Sequence, residues 1–223
     1  MSDRVVALIP AFNEAARVAD VVNRALPQVS EVVVIDDGST DGTASVAQAA
    51  GAQVIQHGHN RGKGAAIVTA LDYFNKSGAE FAVLLDADGQ HDPAEIPKLV
   101  AAATESGASI VVGTRMSHTR EMPLVRKWTN RFTSWATGKL ARQPVPDSQC
   151  GYRLVRRSVL KDLKLETSRF ETETEMLIQA GRAGHKIASI PIRTIYGDEA
   201  RASHIRPWRD TVRFFKLVKR YWP

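Results

Sequence analysis

Two aspartates two residues apart, Asp86 and Asp88, end the short apolar run of FAVLLDADGQHDP, residues 81–93. An apolar run that turns abruptly acidic is how a buried parallel strand leaves the core. On an extended backbone, side chains two apart point the same way, and Gln90 adds a third oxygen in step. Hard oxygen ligands with no cysteine beside them suit Mg²⁺ or Mn²⁺ rather than zinc or copper. A strand followed by a solvated acidic turn is the other reading of the same residues. An EF-hand is excluded, because His91 takes the sixth loop position, where the turn needs Gly, and Pro97 the twelfth, where Glu is needed.

Further groups stand at the ends of other apolar runs. Val5 to Ile9 reads as a strand broken by Pro10-Ala11-Phe12-Asn13-Glu14, and Val32 to Ile35 as a second strand ending in Asp36 and Asp37. Between them Val18, Val21, Val22 and Ala25 share one helical face. Gln53 to Gln56 is a third strand, a helix opens at His57 to Gly64 and runs through Phe74, residues 95–104 form another, and Ser109 to Val112 is a fifth strand. Such alternation predicts a mostly parallel sheet with helices on both faces, whose ligands bind beyond the carboxyl ends of the strands. Asn13, Glu14, Asp36, Asp37, Asp86 and Asp88 then crowd one edge. That many carboxylates call for a cation or for hydrogen-bond donors.

GHNRGKG is neither a phosphate loop, being one residue too short with Gly64 in place of Ser/Thr, nor a dinucleotide fingerprint, since Ile67 stands where a third glycine belongs. What remains is Lys63 at a helix N-terminus, either a diphosphate contact or part of a flexible basic turn. Glu171, Glu173 and Glu175 are either first-turn acids favoured by a helix dipole or carboxylates able to take a proton from a hydroxyl, with Glu173 the best placed.

The single Cys150 excludes an internal disulfide framework. The opening residues MSDRVVALIPAF are too soon polar for a signal peptide, and no apolar run approaches the ~18 residues that span a bilayer. A soluble, cytoplasmic chain is expected. Of its net charge of +6, all falls from Arg201 onward, where seven basic residues face the one acid Asp210. Residues 206–222 read as an amphipathic helix with Trp208, Val212, Phe215, Val218 and Trp222 at helical spacing. That helix fits an anionic membrane surface, or docks on the domain by the same stripe; nucleic-acid binding is disfavoured for want of any recognisable module.

IPAFNE (9–14), VVVIDDGSTDGT (32–43), HNRGKGAA (59–66) and LLDADGQHDP (84–93) resemble, in order and spacing, the family 2 glycosyltransferases with the GT-A fold. The resemblance implies one GT-A, Rossmann-like α/β domain over residues 1–205, divided into a nucleotide-sugar half (1–115) and an acceptor half (116–205), with the amphipathic helix at 206–223. It implies a nucleotide-sugar donor, a GDP- or UDP-sugar, with Pro10, Asn13, Glu14, Asp36 and Asp37 around base and ribose. Asp86 and Asp88 would form the DXD-type metal site, with His204 a third ligand.

VVGTRMS (111–117), the basic stretch 120–131, DSQCGYRLVRRSVL (147–160) and KIASIPIRTIY (186–196) are similar to the dolichyl- and polyprenyl-phosphate hexosyltransferases. That subgroup implies lipid-phosphate binding by Arg115, Arg126 and Arg131, for which the bidentate arginine fork is suited. These arginines also read as one solvated face of a helix. The chain departs from the subgroup in lacking a transmembrane tail and in carrying Ser203-His204 where many members have Ser-Lys. FETETEM (170–176) also resembles the acidic motif with which other family 2 enzymes activate a hydroxyl. The expected reaction is an inverting, Mg²⁺- or Mn²⁺-assisted transfer of a hexose to a polyprenyl phosphate at the cytoplasmic membrane face, with Asp88, Glu173 and Arg115 as its catalytic residues. Transfer to a hydroxyl of a soluble or polysaccharide acceptor is the alternative; a nucleotide-binding regulatory module without turnover is the non-enzymatic one.

Overall fold

The computed structural model describes residues 4–114, 124–193, 195 and 207–222, with side chains only from residue 128 and residue 211 onward in the helices that open at 124 and 207. Among the described residues seven strands form one sheet: β1 (Val5–Ala11), β2 (Glu31–Asp36), β3 (Gln53–Gln56), β4 (Phe81–Leu84), β5 (Ile110–Thr114), β6 (Arg153–Arg156) and β7 (Ile187–Pro191). The α-helices described are α1 (Val18–Ala25), α2 (Thr43–Ala49), α3 (Lys63–Ser77), α4 (Ile96–Ser106), α5 (Leu124–Ala141), α6 (Glu171–Arg182) and α7 (Pro207–Tyr221). The spatial order is β3-β2-β1-β4-β6-β5-β7.

The central strands are dominated by Val, Ile, Leu, Ala and Phe and are almost wholly buried, as strands covered on both faces must be. From β1 the chain steps outward to β2 and β3, then returns so that β4 lies on the other side of β1. Right-handed crossovers put α1 and α2 on one face and α3 on the other. The contacts agree, since α1 touches α2, and α3 lies on β1 and β2. The reversal opens a crevice at the carboxyl ends of β1 and β4, where such sheets take their ligands. Val18, Val21, Val22 and Ala25 form the buried face of α1, as their spacing predicts.

The second half departs from simple alternation. β6 runs antiparallel to both β4 and β5 and is wedged between them, opposite Phe81–Leu84 on one side and Ile110–Val112 on the other. Its sequence, RLVR, is too short and too charged at its ends to read as a central strand, yet Arg153 is fully buried in it. β7 then pairs parallel with β5 at the far edge.

Candidate active site

The loops that leave β1 and β2 are stitched together by short polar side chains. Asn13 has a left-handed backbone (φ +55°), which its short amide tolerates better than most side chains. Its Oδ1 accepts from Thr40 N at 3.0 Å, and its own N–H donates to Ser39 Oγ at 2.9 Å. Glu14 N–H donates to Thr43 Oγ1, while the Glu14 carboxylate pairs with Arg17 at 3.4 Å. Asp41 accepts from Thr43 and from Ala15 N. Burial pushes its carboxyl up, but those hydrogen bonds outweigh it and hold the group below the ordinary value. Asp36 Oδ1 accepts from Ser39 N at 3.0 Å, and Pro10 lies beside it in register with Ile35.

Asp37 is buried and committed to structure. One oxygen faces His57 Nδ1 at 2.7 Å and accepts from Arg61 N at 2.9 Å; the other accepts from Gly62 N at 2.7 Å. The carboxylate therefore shapes the 57–62 loop that delivers Lys63. Gly62 sits at φ +102°, and a Cβ there or on Gly64 would strike the chain at Ser168. These two glycines let the start of α3 approach the start of α6, where Ala65 N donates to Ser168 O at 3.2 Å.

β4 ends at Leu84, so Asp86 and Asp88 do not continue an extended strand. Asp86 lies on the exit, and residues 87–89 form a turn in which Gly89 takes φ +72° and Asp88 Oδ1 accepts from Gln90 N at 2.9 Å. The shared direction expected of strand neighbours is thus replaced by turn geometry. Lys63 Nζ sits 2.6 Å from Asp86 Oδ1 and 3.4 Å from Glu173 Oε2. Glu173 Oε1 is in turn 3.7 Å from Arg153 Nη2. Burial opposes the charge on Lys63, but Asp86 and then Glu173 outweigh it and hold the ammonium well above the usual lysine range.

Arg153 is fully buried and donates to three carbonyls: Glu173 O at 2.8 Å, Cys150 O at 2.6 Å and Ser148 O at 3.4 Å. It fixes the loop before β6 against the first turn of α6. A Cβ on Gly151, in that loop, would lie 2.7 Å from Asp86 Oδ2 and 3.1 Å from Lys63 Nζ. The backbone there is a wall of the site. Buried His91 stacks on Tyr152 at 5.1 Å and accepts from Asp86 N at 3.5 Å.

The structure thus brings Asp86, Lys63 and Glu173 together at the β1/β4 crevice, with Asp88 two residues beyond Asp86. Arg153, Gly151 and His91 join them without having been assigned a role from sequence, although the motif 147–160 contains the first two. Glu175, two residues from Glu173 and so on another face of α6, is sequestered: it accepts from Thr167, Glu166 N, Tyr221 Oη and Arg220, away from the crevice. Arg131 is exposed on α5. Arg115, Ser203 and His204 lie outside the described residues, as does the side chain of Arg126.

Among the described residues no three His, Cys, Asp or Glu side chains form a metal-binding group. The donor set is nonetheless compatible with Mg²⁺ or Mn²⁺, which characteristically take one or two carboxylates and complete their shell with substrate phosphates and water. Asp86 and Asp88 supply two carboxylates, and the ammonium against Asp86 shows that this oxygen already attracts a cation.

A family model described as Glycosyl transferase family 2 matches residues 6–164. The chain is 34% identical over 226 residues to a UDP-N-acetylglucosamine–dolichyl-phosphate N-acetylglucosaminyltransferase of Methanococcus voltae, covering 91% of this chain and 90% of that protein. It is 30% identical to an undecaprenyl-phosphate mannosyltransferase of Micrococcus luteus, covering 85% and 82%. Among solved structures, glucosyl-3-phosphoglycerate synthase from Mycobacterium tuberculosis in complex with Mn²⁺ and UDP-glucose superposes with a TM-score of 0.69 at 23% identity, over 96% of this chain and 76% of the other.

Proposed function

The chain belongs to glycosyl transferase family 2 and has the GT-A fold, and from this we propose that it moves a hexose from a GDP- or UDP-sugar to a polyprenyl phosphate at the cytoplasmic face of a membrane. The observation that carries the reading is the cluster Asp86–Lys63–Glu173–Arg153 at the switch point between β1 and β4. The lipid phosphates in the names of the two relatives above support the acceptor.

Transfer is a displacement at the anomeric carbon with inversion. The bond from that carbon to the diphosphate oxygen breaks, its electron pair leaves with the nucleoside diphosphate, and an acceptor oxygen bonds to the opposite side. A divalent ion held by Asp86 and Asp88, with Gln90 and His204 as further candidate ligands, supplies charge neutralisation to the leaving diphosphate when bound. Lys63, a fixed cation at the N-terminus of α3, stabilises the same developing charge. Pro10, Asn13, Glu14 and Asp36 are the proposed contacts to base and ribose, while Asp37 accepts from Arg61 N and Gly62 N and so shapes the loop before Lys63.

A phosphate acceptor is already ionised near neutral pH, its second pKa being about 6. It needs no strong base, and Glu173, flanked by Lys63 and buried Arg153, is suited to orienting Lys63. Arg115, Arg126 and Arg131 with Ser203 are the proposed contacts to the acceptor phosphate. The basic helix α7 is the proposed contact with the membrane. A hydroxyl acceptor is the second reading, favoured by the position of Glu173 beside Lys63 at the crevice.

The test is transfer of labelled sugar from GDP- and UDP-sugars into the organic phase with Mn²⁺ and a short polyprenyl phosphate. Label should partition with the lipid, and Asp86→Asn or Asp88→Asn should cut transfer about 100-fold or more. Transfer confined to hydroxyl acceptors, abolished by Glu173→Gln, would replace this reading with the second one.

A further inference from the structure

α5 turns polar side chains inward and aromatic ones outward. Its buried side holds Asn130, Thr133, Ser134 and Thr137 beside the small or aliphatic Ala136, Leu140 and Ala141. The three hydroxyls are satisfied by short bonds: Thr133 and Thr137 donate to carbonyls one turn back, Thr137 Oγ1 to Thr133 O at 2.7 Å, and Ser134 Oγ accepts from Ser148 N at 3.0 Å. Its outward side carries Trp128, Phe132 and Trp135, exposed by 71%, 48% and 57%. In water this arrangement forgoes the burial that normally makes a surface helix worth forming.

α7 extends the patch. It docks on the domain through Phe214 and Leu217, the latter in a small core with Leu140 and Ile178, and leaves Phe215 and Trp222 exposed. Phe215 meets Phe132 at 6.3 Å between ring centroids, and Phe132 meets Trp135 at 6.1 Å. The stripe expected from sequence is therefore not the docking stripe: most of it faces outward, next to the aromatics of α5. Contiguous aromatic surfaces of this kind mark an interaction site.

We infer that this two-helix aromatic face seats the protein on an anionic phospholipid bilayer. Charge selects the occupant. α5 and α7 together hold nine Lys and Arg residues against one acid, Asp210, a surplus of eight that exceeds the +6 of the whole chain. A second copy docked face to face would bring two such surfaces together, whereas acidic headgroups neutralise them. Tryptophans beside lysines and arginines are the composition that settles at the headgroup boundary. Among the described residues no helix is long and apolar enough to cross a membrane, so the attachment lies on the bilayer rather than through it.

The inference deepens the lipid-acceptor reading and rests on it for its purpose, but binding is measured without donor, metal or polyprenyl phosphate, so either can fail alone. The full chain is floated with phosphatidylcholine vesicles and with vesicles also containing phosphatidylglycerol. It should float only with the anionic vesicles, with a blue shift of tryptophan emission. Combining Phe132→Ser, Trp135→Ser and Phe215→Ser should lower partitioning roughly tenfold or more at unchanged Tm. Lys216→Glu with Lys219→Glu should lower it on anionic vesicles while leaving the aromatic face intact. Wild-type protein that stays unbound, a triple-serine variant that floats normally, or self-association abolished by the serine substitutions without vesicle binding would each overturn the inference.

Discussion

At the scale of single residues, Asp86 is already paired with a cation. Lys63 holds it at 2.6 Å, and in the proposed reaction a divalent ion would share the same carboxylate. Lys63→Ala should therefore raise Mn²⁺ affinity of the donor-free protein several-fold, as the competing ammonium disappears, while lowering transfer by about tenfold or more through lost stabilisation of the diphosphate. Calorimetric Mn²⁺ titration alongside transfer rates checks both halves; weaker Mn²⁺ binding would show that Lys63 instead positions Asp86. Because its ammonium is held above the ordinary value, the Lys63 contribution is fully present below pH ~10.4 and is lost only as pH rises towards the raised folded value. Gly151→Ala makes a second case. Its Cβ would press on Asp86 Oδ2 at 2.7 Å, so Mn²⁺-dependent donor binding should fall about tenfold with little change in Tm.

At the scale of elements, the site depends on two helices that begin together. α3 carries Lys63 and α6 carries Glu173, and Gly64 is the residue that lets their first turns meet. A Cβ on Gly64 would collide with Thr172 Oγ1 and the Ser168 backbone. Gly64→Ala, normally favourable inside a helix, should here cost about 1–3 kcal/mol and separate Lys63 from Glu173. Thermal denaturation compared with Gly58→Ala, where a Cβ meets nothing within 4 Å and the backbone is not left-handed, isolates the collision. Equal losses at both positions would remove the collision argument. β6 is the other decisive element: running antiparallel beside β4, it sets Arg153 opposite Leu84, at the end where β4 runs out.

At the scale of the whole molecule, α7 is latched to the rest through one buried carboxylate. Glu175 accepts from Tyr221 Oη at 3.1 Å and pairs with Arg220 at 3.4 Å, while Arg220 also reaches Glu166 at 3.0 Å. The same Glu175 holds Glu166 N and Thr167 N, just before the loop that meets α3. Arg220→Ala with Tyr221→Phe should cost about 1–3 kcal/mol by removing two partners of a buried carboxylate. Urea denaturation measures it, and a cost near zero would mean that Glu166 N, Thr167 and Gln179 suffice to satisfy Glu175. The latch ties α7 to the helix that bears Glu173.

The first half of the chain is legible in order because its elements are local. Val5–Ile9 and Val32–Ile35 are β-branched runs ended by polar turns, and the α1 face follows from residue spacing, so periodicity alone locates them. The acids that crowd the sheet edge follow as well, since each ends its own strand. What sequence alone cannot supply is which long-range partner each charge meets. Asp37 looks like a ligand residue and spends its oxygens on a loop; Glu175 looks like its neighbour Glu173 and latches a helix; Arg153 looks like a surface arginine and is buried. Those outcomes depend on β6 inserting between β4 and β5 and on α3 meeting α6, contacts between residues about 40 to 110 positions apart. Local propensity determines the elements, and only their packing decides which polar group lies beside which, because the energy of a buried charge is set by its neighbours in space.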